Sequence, residues 1–315
     1  MIKMKNLLFV FIALTVLLTG CNKEEDLGES RLDTTTPPLS ELDQWLRNTF
    51  LPYNLEVKYK WDDFEGDMKK NLIPTEEDKV KPLMDVMDKV WIKCYEEEGG
   101  DDFIKSYIPK LIYLLGGAGV NPEGTITQGT AEAGRKIVLY EVNKFDATEA
   151  ARINRFFHVM HHEFAHILHQ TTLYEVIGYE AISKGKYRSD WSNVREANVE
   201  EYLGEGFVSP YSMSSRDEDF AEIIAYMLTR TRQEWDDFIS QEGANTEKLK
   251  AKEAIVVDYF RNTWGIELFD LQALIAEKIE EITTVVPEEQ PKYISPFKLQ
   301  SDCAQLCSCQ EVVHD

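Results

Sequence analysis

At 315 residues with 43% apolar side chains, the chain is long enough to bury one large core or two small ones, and it is not a disordered protein. Its 34 basic and 56 acidic residues give a formal charge of -22. That balance excludes a surface built for nucleic acid or for an anionic membrane, because either partner would be repelled instead of recruited through counterion release.

Lys3 and Lys5 precede an apolar run from Leu7 to Leu18, which is too short to span a bilayer comfortably and ends in small residues. Residues 1–20 therefore read as an export signal. Leu18-Thr19-Gly20-Cys21 resembles the lipobox of bacterial lipoproteins, in which Cys21 would be lipidated and become the mature N-terminus. Asn22-Lys23-Glu24-Glu25-Asp26 is similar to the acidic signal that places some lipoproteins on the outer face of the outer membrane. Residues 21–39, with Thr34-Thr35-Thr36-Pro37-Pro38, have little to bury and read as a tether. The expected layout is then a hydrolase domain over 40–285 and a cysteine-containing tail over 286–315.

Ser40 to Asp43 can cap a short helix carrying Leu42, Trp45, Leu46 and Phe50. Leu55 to Trp61 alternates apolar and charged residues, as a half-buried strand does. A helix is expected from about Thr75, with Pro82 as a kink or a later start and Gly99-Gly100 as its end. Leu111 to Leu115 is a short apolar run closed by Gly116-Gly117, hence a strand, and residues 116–134 read as a Gly-rich loop. Lys136 to Val142 is a third strand. Asp146-Ala147-Thr148-Glu149 has capping-box spacing, and Ile153, Phe157, Met160 and Phe164 follow at helical steps. Residues 171–215 read as long loops, followed by helices from about Asp217 to Thr231, Thr246 to Phe260 and Leu268 to Ile282.

The chemistry is concentrated in His162-Glu163-Phe164-Ala165-His166. Two histidines four residues apart project from one helical face and can hold the same metal ion, and Glu163 stands one step round where a carboxylate reaches an activated water. A hydrolytic zinc site needs a third protein ligand. A later histidine is ruled out, since His169 and Thr172 occupy the positions where that pattern needs glycine and histidine. A glutamate on a later helix fits instead. In Glu218-Asp219-Phe220-Ala221-Glu222, Glu218 is the expected ligand, and Glu222, one turn on, would accept the free N–H of a metal-binding histidine. Asp219, Glu222 and Glu205 are the substitutes for Glu218. His158 and His169 share the ligand face as supporting or surface groups, and His161 points elsewhere and reads as structural.

With these motifs the chain resembles the gluzincin metallopeptidases, and the HEFAH and EDFAE segments resemble the paired motifs of lethal-factor-type proteases. The resemblance implies an α+β, zincin-like fold: a small mixed sheet whose edge strand packs on the metal-binding helix, with a helical C-terminal half. It implies Tyr211, seven residues ahead of Glu218, as oxyanion donor. Together with the lipobox, the chain is similar to substrate import-associated zinc metallohydrolase lipoproteins. That similarity implies one zinc ion per chain, an outer-membrane location facing the exterior, a peptide or glycoprotein substrate, and a TonB-dependent transporter and SusD-like lipoprotein as partners. No nucleic acid is expected, and membrane contact only through the lipid at Cys21. The strand Lys136 to Val142 is expected to be the edge on which an extended peptide pairs.

Two other functions compete: a non-catalytic accessory lipoprotein on the same scaffold, and a zinc hydrolase of non-peptide amides or esters. Glu163 counts against the first, because a retired enzyme has no chemical need of that carboxylate. Cys94, Cys303, Cys307 and Cys309 can form two disulfides in an exported chain. A metal site made of the last three with His314 is the weaker alternative.

Overall fold

The computed structural model describes residues 38–67, 69–120, 126–127, 129–132 and 135–284, with backbone alone at 126–127 and 129–132. The export signal, Cys21, nearly all of the tether, and the tail cysteines lie outside the described residues. The chain divides into two units, Met1–Ser40 and Glu41–Asp315, and the second carries everything described below.

Helix α1 (Glu41–Phe50) buries Leu46 and Phe50 and leads into strand β1 (Glu56–Lys58). The alternation through Trp61 does not extend the strand, because Tyr59 turns away to donate its hydroxyl to Asp43 at 3.0 Å. Helix α2 (Glu77–Met87) starts ahead of Pro82, so the proline does not mark a later start. It continues through one wide turn, Asp88–Ile92, into α3 (Lys93–Gly99). Gly100, at φ +83°, ends the run in a conformation that suits glycine. A further helix, α4 (Asp101–Tyr107), follows unforeseen.

The sheet is built from β2 (Leu111–Leu114), β5 (Gly129–Glu132) and β6 (Lys136–Leu139) with β1, in the order β1-β2-β6-β5. β1, β2 and β6 are parallel, and β5 runs antiparallel to β6 with Glu132 opposite Lys136. Between β2 and β5, β3 (Gly119–Val120) and β4 (Ile126–Thr127) form a separate antiparallel pair. Lys136 to Leu139 is therefore an interior strand and not the expected edge; the edge beside it is β5, hidden in a stretch whose glycines and threonines read as loop. Alternation splits the sheet's side chains as a pleat requires. Ile112, Leu114, Ile137 and Leu139 enter the main core, while Tyr113, Leu115, Val138 and Tyr140 form a small second cluster with Leu72.

Helix α5 (Ala150–Thr171) packs beside β5 and β6. The expected capping box does not form: Asp146 accepts hydrogen bonds from Thr148 within its own turn, and the cap position falls to Glu149 with no side-chain bond. Instead, Glu141 at the end of β6 adopts φ +62° and pairs with Lys144 and with Arg155 of α5, joining strand to helix. One face of α5 carries Phe157, His161 and Phe164 into an aromatic cluster with Trp91 and Tyr95, whose rings meet Phe164 edge-on at 5.3 and 5.0 Å. Such pairs add about 0.5–1.5 kcal/mol each beyond area burial. His161 is fully buried with Nδ1 3.2 Å from the Tyr95 hydroxyl, and burial pushes its pKa down to about 3, so it stays neutral. This is the structural role expected of it.

The C-terminal half is helical: α6 (Val176–Ile182), α7 (Val199–Tyr202), α8 (Arg216–Leu228), α9 (Arg232–Ser240), α10 (Thr246–Tyr259) and α11 (Leu268–Thr284). α9 was missed although Thr231 and Glu234 form a complete capping box. α8 lies along the other face of α5, the arrangement on which the site depends.

Candidate metal centre

Because α5 repeats every 3.6 residues, His158, His162, His166 and His169 fall on the side turned to α8. Ser215 caps α8, its hydroxyl accepting from the Glu218 backbone N–H at 3.2 Å, so Glu218 sits in the first turn. The helices bring three donor atoms together. His162 Nε2 lies 3.0 Å from Glu218 Oε2, His166 Nε2 lies 3.1 Å from the same oxygen, and the two ring nitrogens are 3.1 Å apart. Among the described residues this is the one group of His, Cys, Asp or Glu side chains arranged to hold a metal ion.

Each ring is held from behind. His162 Nδ1 is 2.9 Å from Glu222 Oε1, an ion-pair contact without the alignment of a regular hydrogen bond. The same oxygen meets His158 Nε2 at 2.9 Å, while Ser209 Oγ donates to Oε2 at 2.7 Å. His166 Nδ1 meets His169 Nε2 at 2.9 Å. With Nδ1 of each ring so engaged, Nε2 is left to face the shared point. Burial alone would lower the pKa of His162, but Glu218 and Glu222 hold it up at about 10. Burial likewise opposes ionisation of Glu218, yet His162 and His166 keep it well below the ordinary carboxylate range. Two imidazole nitrogens and a carboxylate oxygen crowd one point, and a cation there would satisfy all three. The nitrogen and oxygen donors fit zinc.

Glu163 follows on α5 and is 9% exposed, at the border of the protein interior. Tyr211 opens a short turn, Tyr211–Met213, with its ring 5.8 Å from that of His162 and leaning against Trp191 at 4.9 Å. Tyr211 is 37% exposed; its partial burial, and then the nearby Glu218 carboxylate, raise its phenol pKa, so the hydroxyl keeps its proton.

A family model described as "Putative zinc-binding metallo-peptidase" matches residues 35–269, well over half of the chain. The chain belongs to this family. A crystal structure of a protein described in the same words, from Bacteroides caccae, is similar to this metallopeptidase family member at 37% identity and a TM-score of 0.66. The match covers 81% of this chain and 97% of that one. No curated protein matches. A metallopeptidase role and zinc binding are what membership supports.

Geometry also sorts the substitutes for Glu218. Asp219 points into the interior and pairs with Lys252 at 2.5 Å, with both side chains fully buried. Burial pushes its pKa up to about 6 against the opposing pull of Lys252. Glu205 is held by Lys186 and Lys248. Glu222 stands behind His162, its Oε1 2.9 Å from His162 Nδ1. Ser209 and the Asp219–Lys252 pair, with Tyr187 donating to Asp219 at 2.9 Å, were not anticipated. Serine and lysine far along the chain leave no local pattern to find, whereas Ser215-x-x-Glu218 had the spacing of a helix cap and was readable.

Among the described residues Cys94 has no disulfide partner; it is buried in the core, and burial pushes its thiol up to about 12.

Proposed function

We propose that this member of the family is a gluzincin-type zinc metallopeptidase on a zincin-like fold, tethered through Cys21 to the outer membrane and facing outward, where it trims peptides or glycoproteins for import beside a TonB-dependent transporter and a SusD-like lipoprotein. The observation that carries the catalytic part is the convergence of His162, His166 and Glu218 on one point with Glu163 on the same helix. The anchor and location rest on the resemblance of the N-terminal segment, and the partners on that resemblance taken together with the metal-site motifs.

His162, His166 and Glu218 would hold zinc, which would supply Lewis acidity at the point where water attacks the scissile carbonyl. Glu163 takes the proton of the attacking water and passes it to the leaving amine. Tyr211, kept protonated, donates to the developing oxyanion. Glu222 and His169 hold His162 and His166 in the tautomer that presents Nε2. β5, the free edge beside α5, offers main-chain hydrogen bonds to an extended substrate, which favours a peptide over an ester.

Zinc measured in purified protein lacking residues 1–21 is expected at about one ion per chain, and at a small fraction of that in His166→Ala and Glu218→Ala, because two ligands hold zinc far more weakly than three. A parent that takes up no zinc after reconstitution would leave the accessory binding protein as the better account. Tyr211→Phe is expected to keep zinc and to lower kcat by about a hundredfold with KM little changed. Equal loss in binding and turnover would instead make Tyr211 a wall of the pocket.

A further inference from the structure

Glu163, Ile167 and Gln170 stand at i, i+4 and i+7 on α5, a single stripe running roughly 10 Å from the proposed base toward the helix end. The stripe leads to a cavity of about 750 Å³ lined by Ile167, Gln170, Ser106, Lys110 and Arg135. Lys110 and Arg135 immediately precede β2 and β6, and the backbone joins them: the N–H groups of Lys110 and Leu111 donate to the Arg135 carbonyl at 2.8 and 3.0 Å. Two like charges are thereby fixed on neighbouring strand ends. Both residues are exposed, and neither pairs with a carboxylate among the described residues. In a chain with 56 acidic residues, these two cations give the cavity a local positive charge.

The sheet gives the direction. Glu132, the last residue of edge strand β5, lies opposite Lys136, so a peptide paired along β5 runs toward Arg135. At about 3.3 Å per extended residue, 10 Å is some three residues.

We propose that this cavity is a substrate subsite in which Lys110 and Arg135 hold a carboxylate roughly three residues from the scissile bond. The carboxylate is that of an Asp or Glu side chain or of the substrate's C-terminus, bound through charge-assisted hydrogen bonds. The subsite rests on the metallopeptidase reading for its place in the reaction, but its affinity can be measured without turnover.

The test uses zinc-loaded Glu163→Gln protein and fluorescein-labelled alanine-based peptides with one Glu walked along the chain, each beside its Gln twin. All are amidated, and a second set carries a free C-terminal acid. Binding is followed by anisotropy at low and high salt. At one position the Glu peptide, or the free acid of matching length, is expected to bind about tenfold more tightly than its neutral twin. That advantage should shrink with salt and disappear in a Lys110→Gln/Arg135→Gln double substitution that retains zinc and its melting temperature. Which set shows it identifies the source of the carboxylate. Equal binding of all twins overturns the subsite. So does a preference that survives the double substitution, in which case the two cations serve only the carbonyl end of α5. If the unsubstituted protein cleaves none of these peptides while the preference is present and lost on double substitution, the peptidase reading fails and the subsite stands.

Discussion

Glu163→Gln is expected to keep the parental zinc content and to lower turnover by about two to four orders of magnitude, the usual worth of a positioned general base. The substitution removes proton affinity and almost nothing else. Glutamine has the same shape, Glu163 is not among the three converging donors, and its neighbours Phe164 and Ala165 are buried in the core, so α5 has no reason to move. Metal analysis beside hydrolysis of an unbiased peptide mixture checks it. Full activity in a zinc-loaded variant would take the base role from Glu163, and loss of zinc would mean that the carboxylate helps hold the metal.

Lys252→Met is expected to destabilise the fold by about 3–5 kcal/mol, the cost of leaving a buried charge without its partner. Lys252 and Asp219 are both inaccessible to solvent, and the ammonium also donates to the Gly206 carbonyl at 2.6 Å and lies 4.2 Å from the Phe207 ring centre. Methionine keeps most of the stem's packing, so the loss reports on charge. In Asp219→Asn/Lys252→Met the orphaned carboxylate is gone, the Tyr187 hydroxyl still has an acceptor, and most of the stability should return. Urea denaturation of the metal-free proteins measures both. A single variant as stable as the parent would show that Asp219 takes up a proton at little cost and that the pair is dispensable.

How far the sequence could be read depended on how local each signal was. His162-Glu163-x-x-His166 lies within two turns of one helix, and its two rings and carboxylate could be placed by angle alone. Glu218 came from the spacing of a second short segment together with the needs of the metal. The larger helices were legible because Phe157, Phe164, Phe220 and Ile224 recur at helical steps. What failed was whatever depends on partners distant in sequence. β5 owes its existence to pairing with β6, not to its own Gly129-Thr130-Ala131-Glu132, so it read as loop and its neighbour was mistaken for the edge. The expected cap before α5 lost to a tighter turn in which Asp146 bonds Thr148. Lys252 looked like any surface lysine until α10 folded it beneath Asp219.

Lys252 also ties the metal site to the C-terminal helices. Asp219, the immediate neighbour of Glu218, has its buried ion-pair partner only once α10 is docked. A chain interrupted between α8 and α10 holds every residue assigned to the metal and lacks the cation that seats α8. Docking of α10 therefore bears on how α8 is seated, so the metal site depends on chain well beyond its own ligands.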